Sequence, residues 1–112
     1  MKRGEIWLIN LDPTVGVEIK KTRPAVIVSS DAVGVLPLKV IVPLTDWKDR
    51  YRIACWMVPV EPSAQNGLDQ PSAADTFQVC SLAQERFVRR LGQMEDEQVS
   101  EIAQALALVL EI

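Results

Sequence analysis

The apolar pattern changes period once, near residue 95, and that change limits the fold more than any other feature. Before it, apolar residues come in short runs of about four to nine residues, closed by Pro, Gly, Asn or Asp. "EIWLINL" (5–11) mixes β-branched, aromatic and apolar residues and stops at Asp12-Pro13, which predicts a strand followed by a turn. "PAVIVSS" (24–30) is a continuous apolar run, suited to a strand covered on both faces. "LKVIVPLT" (38–45) repeats it, with Pro43 pointing to an edge or a bulge. "RIACWMVPV" (52–60), "TFQVCSL" (76–82) and "RFVRRLGQM" (86–94) predict three more strands. Residues 61–75, with Pro62, Pro71 and Asn66-Gly67, read as a loop or hairpin region. After residue 94, Val99, Ile102, Ala103, Leu106, Val109 and Leu110 form the stripe of an amphipathic helix. Its N-terminus is served by Glu95 or Asp96, where negative charge suits the helix dipole. Five or six short strands and one C-terminal helix predict a mainly β (α+β) fold: a small antiparallel β-barrel or curled sheet with a C-terminal amphipathic helix. The chain has 112 residues, with no linker and no repeat, so residues 1–112 are expected to form one domain.

Charge is unevenly distributed. The net charge is −3, but residues 95–112 hold five anions and no cation. Residues 1–94 carry the twelve cations against ten anions, and residues 1–60 carry nine against six. An acidic total therefore does not exclude a polyanionic ligand, because the local field governs binding. No segment approaches the roughly 20 apolar residues of a membrane span. The apolar part of the N-terminus is too short and too polar for a signal peptide, so a cytoplasmic protein with no membrane contact is expected. Cys55 and Cys80 lie in apolar surroundings and read as small core hydrophobes rather than a disulfide. The chain has no histidine, which removes the commonest general base and the commonest transition-metal ligand. Asp12, Asp46 and Asp49 have no spacing specific to a metal site.

Four features could carry chemistry, each with a plainer alternative. Arg23 precedes Pro24, which biases it toward extended geometry at the mouth of a strand. A guanidinium held there offers a planar fork to phosphate or carboxylate; the alternative is a charge that keeps a hydrophobic strand from aggregating. Thr45 closes "VIVPLT" as a hydroxyl donor at a strand end, or simply as a β-branched terminator. In "DWKDRYR" (46–52), Trp47 and Tyr51 alternate with Lys48, Arg50 and Arg52. That interleaving suits single-stranded nucleic acid, where bases stack on rings and phosphates meet cations; it also suits an ordinary exposed hairpin. Glu18 is a proton acceptor in a chain without histidine, or a loop carboxylate paired with Lys20 or Lys21.

These residues fall in a pattern that resembles the MazF/PemK toxins of type II toxin–antitoxin systems. The matching stretches are Gly4-Glu5-Ile6-Trp7, Asp12-Pro13, Gly16-Val17-Glu18, Arg23-Pro24-Ala25-Val26-Ile27-Val28-Ser29 and Val42-Pro43-Leu44-Thr45. "GLDQPSAADTFQVCSLAQERFVRRLGQM" follows the second half of the pattern more loosely, and Phe77 stands before Gln78 where the family often has Asp. The resemblance implies an SH3-like or CcdB-like barrel, a homodimer, and a sequence-specific endoribonuclease that cleaves single-stranded RNA without metal or other cofactor. It implies that Arg23 and Thr45 are the catalytic pair with Glu18 beside them. Lys20, Lys21, Trp47, Lys48, Arg50, Tyr51, Arg52 and Gln78 would then bind RNA. The implied partner is an antitoxin whose flexible acidic segment covers the basic groove. Rival readings are a CcdB-like toxin directed at DNA gyrase, a non-catalytic RNA-binding module and an inactive toxin.

Overall fold

The computed structural model describes residues 1–11 and 22–112. Seven strands and one α-helix form the framework: β1 (Glu5–Asn10), β2 (Thr22–Ile27), β3 (Leu38–Asp46), β4 (Met57–Val60), β5 (Ser72–Asp75), β6 (Cys80–Ala83), β7 (Phe87–Gln93) and α1 (Asp96–Leu110). Every pairing is antiparallel. The strand order is β4-β5-β3-β2-β1-β7, with β6 also on β3.

The central strands are buried on both faces, as the continuous apolar runs predict. Ile6, Val26, Val42 and Leu44 face a core that Val99, Ile102 and Ala105 of α1 complete. Ile9, Ala25, Ile27, Ile41 and Leu82 face the other way and pack with Trp7, Leu11 and Phe87. Each strand thus sends alternate side chains into two cores. The helix stripe packs largely as expected, with Val99 and Ile102 buried and Leu106 against the same core; Ala105 is buried in addition, and Leu110 at the end of the helix is exposed.

β5 and β6 lie along one edge of β3 as a single interrupted strand. Leu44 to Asp46 pair with Ala74 to Ser72, and Leu38 to Ile41 pair with Ala83 to Cys80. A 3₁₀ turn, Thr76–Gln78, takes up the extra residues between the two registers. The interruption falls opposite Val42-Pro43, where the ladder has one donor fewer because proline has no N–H. Pro43 is therefore not on an edge strand: it is paired with Ala25 on one side, and the partner on the other side breaks.

Three boundaries differ from expectation, and one of them is β6, which begins only at Cys80 because Thr76–Gln78 form a 3₁₀ turn. β4 begins only at Met57, because Asp49–Ile53 form a 3₁₀ turn that leaves Ile53 93% exposed. β5, "SAAD", lies inside the stretch that reads as loop, and all four of its residues are buried. Cys55 and Cys80 are exposed free thiols rather than core residues. Cys55 sits in the turn before β4, where strand alternation does not apply, and Cys80 opens β6 at the end of the 3₁₀ turn.

The sheet curls but does not close, since β4 and β7 are not paired. A loop bridges its two ends. The Gln93 N–H donates to the Gln65 carbonyl (2.9 Å). Gly67 (φ +70°) backs onto Leu91 so closely that a Cβ there would lie 2.1 Å from the Leu91 carbonyl oxygen. Asn66, buried in this loop, organises it. Its Oδ1 accepts from the Ser63 and Leu68 amides (2.9 and 3.0 Å), and its Nδ2 donates to the Glu61 carbonyl (2.8 Å).

Candidate active site

One sheet face gathers the candidate residues. The β2–β3 register places Ala25 across from Pro43 and Ile27 across from Ile41. Continued two residues past its last pair, that register would set Arg23 opposite Thr45, and both residues line one cavity. Thr45 is in turn paired with Ala73 of β5, and Ala73 with Pro59 of β4. Directly paired residues share a face, so Arg23, Thr45 and Ala73 form a row across three strands. Asp75, two residues beyond Ala73, points to the same side.

At the Arg23 end of this row is a cavity of about 230 Å³, lined by Thr22, Arg23, Pro24, Leu44, Thr45 and Asp46. Leu44, one of the lining residues, is fully buried. Arg23 is exposed, and among the described residues it has no hydrogen bond or ion pair, so its five N–H donors remain available to a ligand. Pro24 sits immediately behind it in β2 and limits the backbone from which the guanidinium projects. The sequence brings these groups together through β-pairing alone, across 22 positions of chain.

The aromatic and basic segment flanks the row. The Trp47 N–H donates to the Pro71 carbonyl (3.0 Å), which carries the β3–β5 ladder one step past Asp46. Trp47 meets Tyr51 edge to face (ring centroids 5.9 Å apart), and the Arg50 guanidinium lies 5.5 Å from the Tyr51 ring centre. Lys48, Arg50 and Arg52 are exposed. Arg52 contacts Asp49 at 3.6 Å in an exposed pair that stabilises little.

Gln78 is exposed in the 3₁₀ turn, and its Nε2 donates to Asp75 Oδ2 (2.9 Å). Glu18, Lys20 and Lys21 lie outside the described residues. Two site residues escape the sequence reading. Asp46 lines the cavity beside Arg23 and Thr45, although it reads only as one of several scattered carboxylates. Asp75 is 8% exposed and holds Gln78. Its visible signal is the D-T-F-Q order, in which an Asp side chain caps the amide two residues on. Among the described residues no group of three or more His, Cys, Asp or Glu could hold a metal ion, and no helix is long and apolar enough to cross a membrane.

A small curled antiparallel sheet backed by a C-terminal helix, with an unpaired arginine and a threonine in one cleft, defines the α+β class of this protein. Residues 2–110 match the family described as the PemK-like, MazF-like toxin of type II toxin–antitoxin systems, and the chain belongs to that family. It is 30% identical over 118 residues to the endoribonuclease MazF9 of Mycobacterium tuberculosis H37Rv, covering all of this chain and 98% of that one. The fold superposes on the M. tuberculosis toxin MazF-mt6 with a TM-score of 0.77 at 25% identity, over 96% of this chain and 97% of that one. It also superposes on a mycobacterial endoribonuclease solved in complex with its cognate antitoxin (TM-score 0.79, 21% identity, 100% and 96% coverage).

Proposed function

We propose that the chain is the toxin of a type II toxin–antitoxin system, an endoribonuclease that cuts single-stranded RNA at short sequences and so arrests translation. The observation that carries the mechanism is the unpaired Arg23 beside Thr45 in one cleft. In this reading the 2′-oxygen of a ribose attacks the adjacent phosphorus and the 5′-oxygen leaves, taking up a proton from water. The products are a 2′,3′-cyclic phosphate and a 5′-hydroxyl end. Charge grows on the non-bridging oxygens, so a guanidinium already held in place stabilises the transition state more than the ground state. Loss of one such donor costs on the order of 3 kcal/mol, a hundredfold or more in rate. The Thr45 hydroxyl donates to the same phosphoryl group and fixes its position. The 2′-hydroxyl proton goes to a carboxylate; Glu18 has this role by family resemblance, and Asp46 lines the cleft. No step calls on a metal.

Trp47 and Tyr51 stack bases, while Lys48, Arg50 and Arg52 meet phosphates, as do Lys20 and Lys21. This cationic surface is what an antitoxin with a flexible acidic segment would cover. The enzyme works as a cytoplasmic homodimer in this reading, and its molar mass in solution tests the dimer. The chemistry is tested by placing one 2′-deoxynucleotide at the mapped cut site of an otherwise unchanged RNA. Cleavage stops there if the 2′-oxygen is the nucleophile; continued cutting excludes the mechanism. A gyrase poison gives no use to the Arg23–Thr45 cleft, so that alternative is not favoured.

A further inference from the structure

Beyond the cleft, the turns before β4 and after β5 carry an aromatic ledge that the mechanism does not use. Phe77 is 68% exposed and Trp56 39%, unusual for two large rings in contact. Their ring centroids lie 6.2 Å apart at 68°. The ledge is held from beneath. The Trp56 carbonyl accepts two hydrogen bonds from fully buried Thr76, one from its N–H (3.1 Å) and one from Oγ1 (2.7 Å). Asp75 ties the other side: Oδ1 accepts from the Phe77 N–H (3.2 Å), and Oδ2 accepts from Gln78 Nε2 (2.9 Å).

That last bond orients the Gln78 amide. One Nε2 hydrogen is committed to a buried carboxylate, so the carboxamide cannot flip without leaving Asp75 unsatisfied. Its Oε1, which has no partner among the described residues, remains as a fixed acceptor. A fixed acceptor beside an exposed ring matches the two needs of an unstacked base, a π face to lie on and an edge to be read. Asp75 is on the Thr45 side of the sheet through the Thr45–Ala73 pairing. Phe77 is four residues past Ala73, so it lies within about 19 Å of Thr45 by chain reach and strand spacing.

We infer that Phe77, Trp56 and Gln78 form a base-reading subsite for one nucleotide near the cut, with Asp75 as the positioning residue that sets which edge Gln78 accepts from. The inference rests on the RNA-cleaving reading above. It gives Phe77, the departure from the family pattern, a use that an aspartate could not serve: a stacking surface.

The test uses the full chain and a random-sequence RNA pool, with 5′ ends sequenced after cleavage. The wild type shows a base preference at several positions. Phe77→Ala and Asp75→Asn relax it at one common position, roughly tenfold or more in relative cleavage there, as loss of one stacked base predicts. Phe77→Tyr restores the preference. Melting temperatures are measured in parallel; an unchanged value for Phe77→Ala, a truncation at an exposed position, separates readout from folding. In a second measurement, RNA carrying 4-thiouridine is photo-crosslinked to the wild type, and the adducts map to Phe77 or Trp56. Unchanged preference at every position in both variants overturns the inference, as does a crosslink map that omits both rings. Weakened binding of an acidic peptide with unchanged base preference makes the ledge a protein-docking surface and overturns it too. A wild type that cuts no RNA defeats the nuclease reading instead, and the crosslinks still decide whether the ledge holds a base.

Discussion

Asn66→Ala tests whether the curled sheet is held by its bridging loop. The side chain makes three hydrogen bonds, to the Ser63 and Leu68 amides and to the Glu61 carbonyl, and Asn66 is only 7% exposed. Leu68 is buried, so its amide loses its partner with no water to replace it, which costs about 1–3 kcal/mol. The Ser63 and Glu61 groups are exposed and recover water, so each contributes about 0.5 kcal/mol. The total is about 3 kcal/mol, a large part of the stability of a domain this size. At about 4 °C per kcal/mol for a chain of this length, the melting temperature falls by about 12 °C. Thermal unfolding followed by circular dichroism measures it, with urea unfolding as a check on two-state behaviour. Arg23 and Thr45 stand on β2 and β3, away from this loop, so cleavage per folded molecule at 15 °C is unchanged. A melting temperature within 2 °C of wild type refutes the bridging role of the loop. A stable variant that has lost cleavage refutes the separation between that loop and the cleft.

Two further expectations follow from named contacts. Gly67→Ala places a methyl against the Leu91 carbonyl at a positive φ, so it destabilises by more than about 2 kcal/mol, read from the shift in urea midpoint. Arg50→Ala weakens RNA binding across all sequences and lowers the slope of log K against log salt by about one contact, measured by fluorescence anisotropy over a salt series; an unchanged slope removes Arg50 from the phosphate contacts.

Much of the fold was legible because the central strands need the same residue types on both faces. Val26 and Val42 serve one core, Ala25, Ile27 and Ile41 the other, and that demand appears in sequence as unbroken apolar runs. β5 was not legible for the opposite reason. Ser72, Ala73, Ala74 and Asp75 are poor strand formers, and only pairing between β3 and β4 makes them a strand. In Arg52–Trp56 the composition is strand-like, yet a 3₁₀ turn and a second turn occupy it, because strand propensity without a pairing partner specifies little. The helix was clear in period and, through Val99, Ile102 and Leu106, in the face it buries, while Ala105 joined the core because of where the sheet lies beneath it. At the site, residue types suggested a phosphate-binding arginine, and family resemblance paired it with Thr45. Only the folded chain brings both to one cavity. Asp46 carries no signal apart from its neighbours in space, and Asp75 only the D-T-F-Q order of a capped turn.

The central claim is that Arg23 and Thr45 cut RNA without a metal. The most direct measurement incubates the purified protein and its Arg23→Ala variant with a long RNA in EDTA and maps the new 5′ ends. The account predicts discrete cuts by the wild type, at least a hundredfold slower in the variant, with 5′-hydroxyl termini. Cleavage that persists at the wild-type rate in Arg23→Ala, or that requires an added divalent cation, contradicts it.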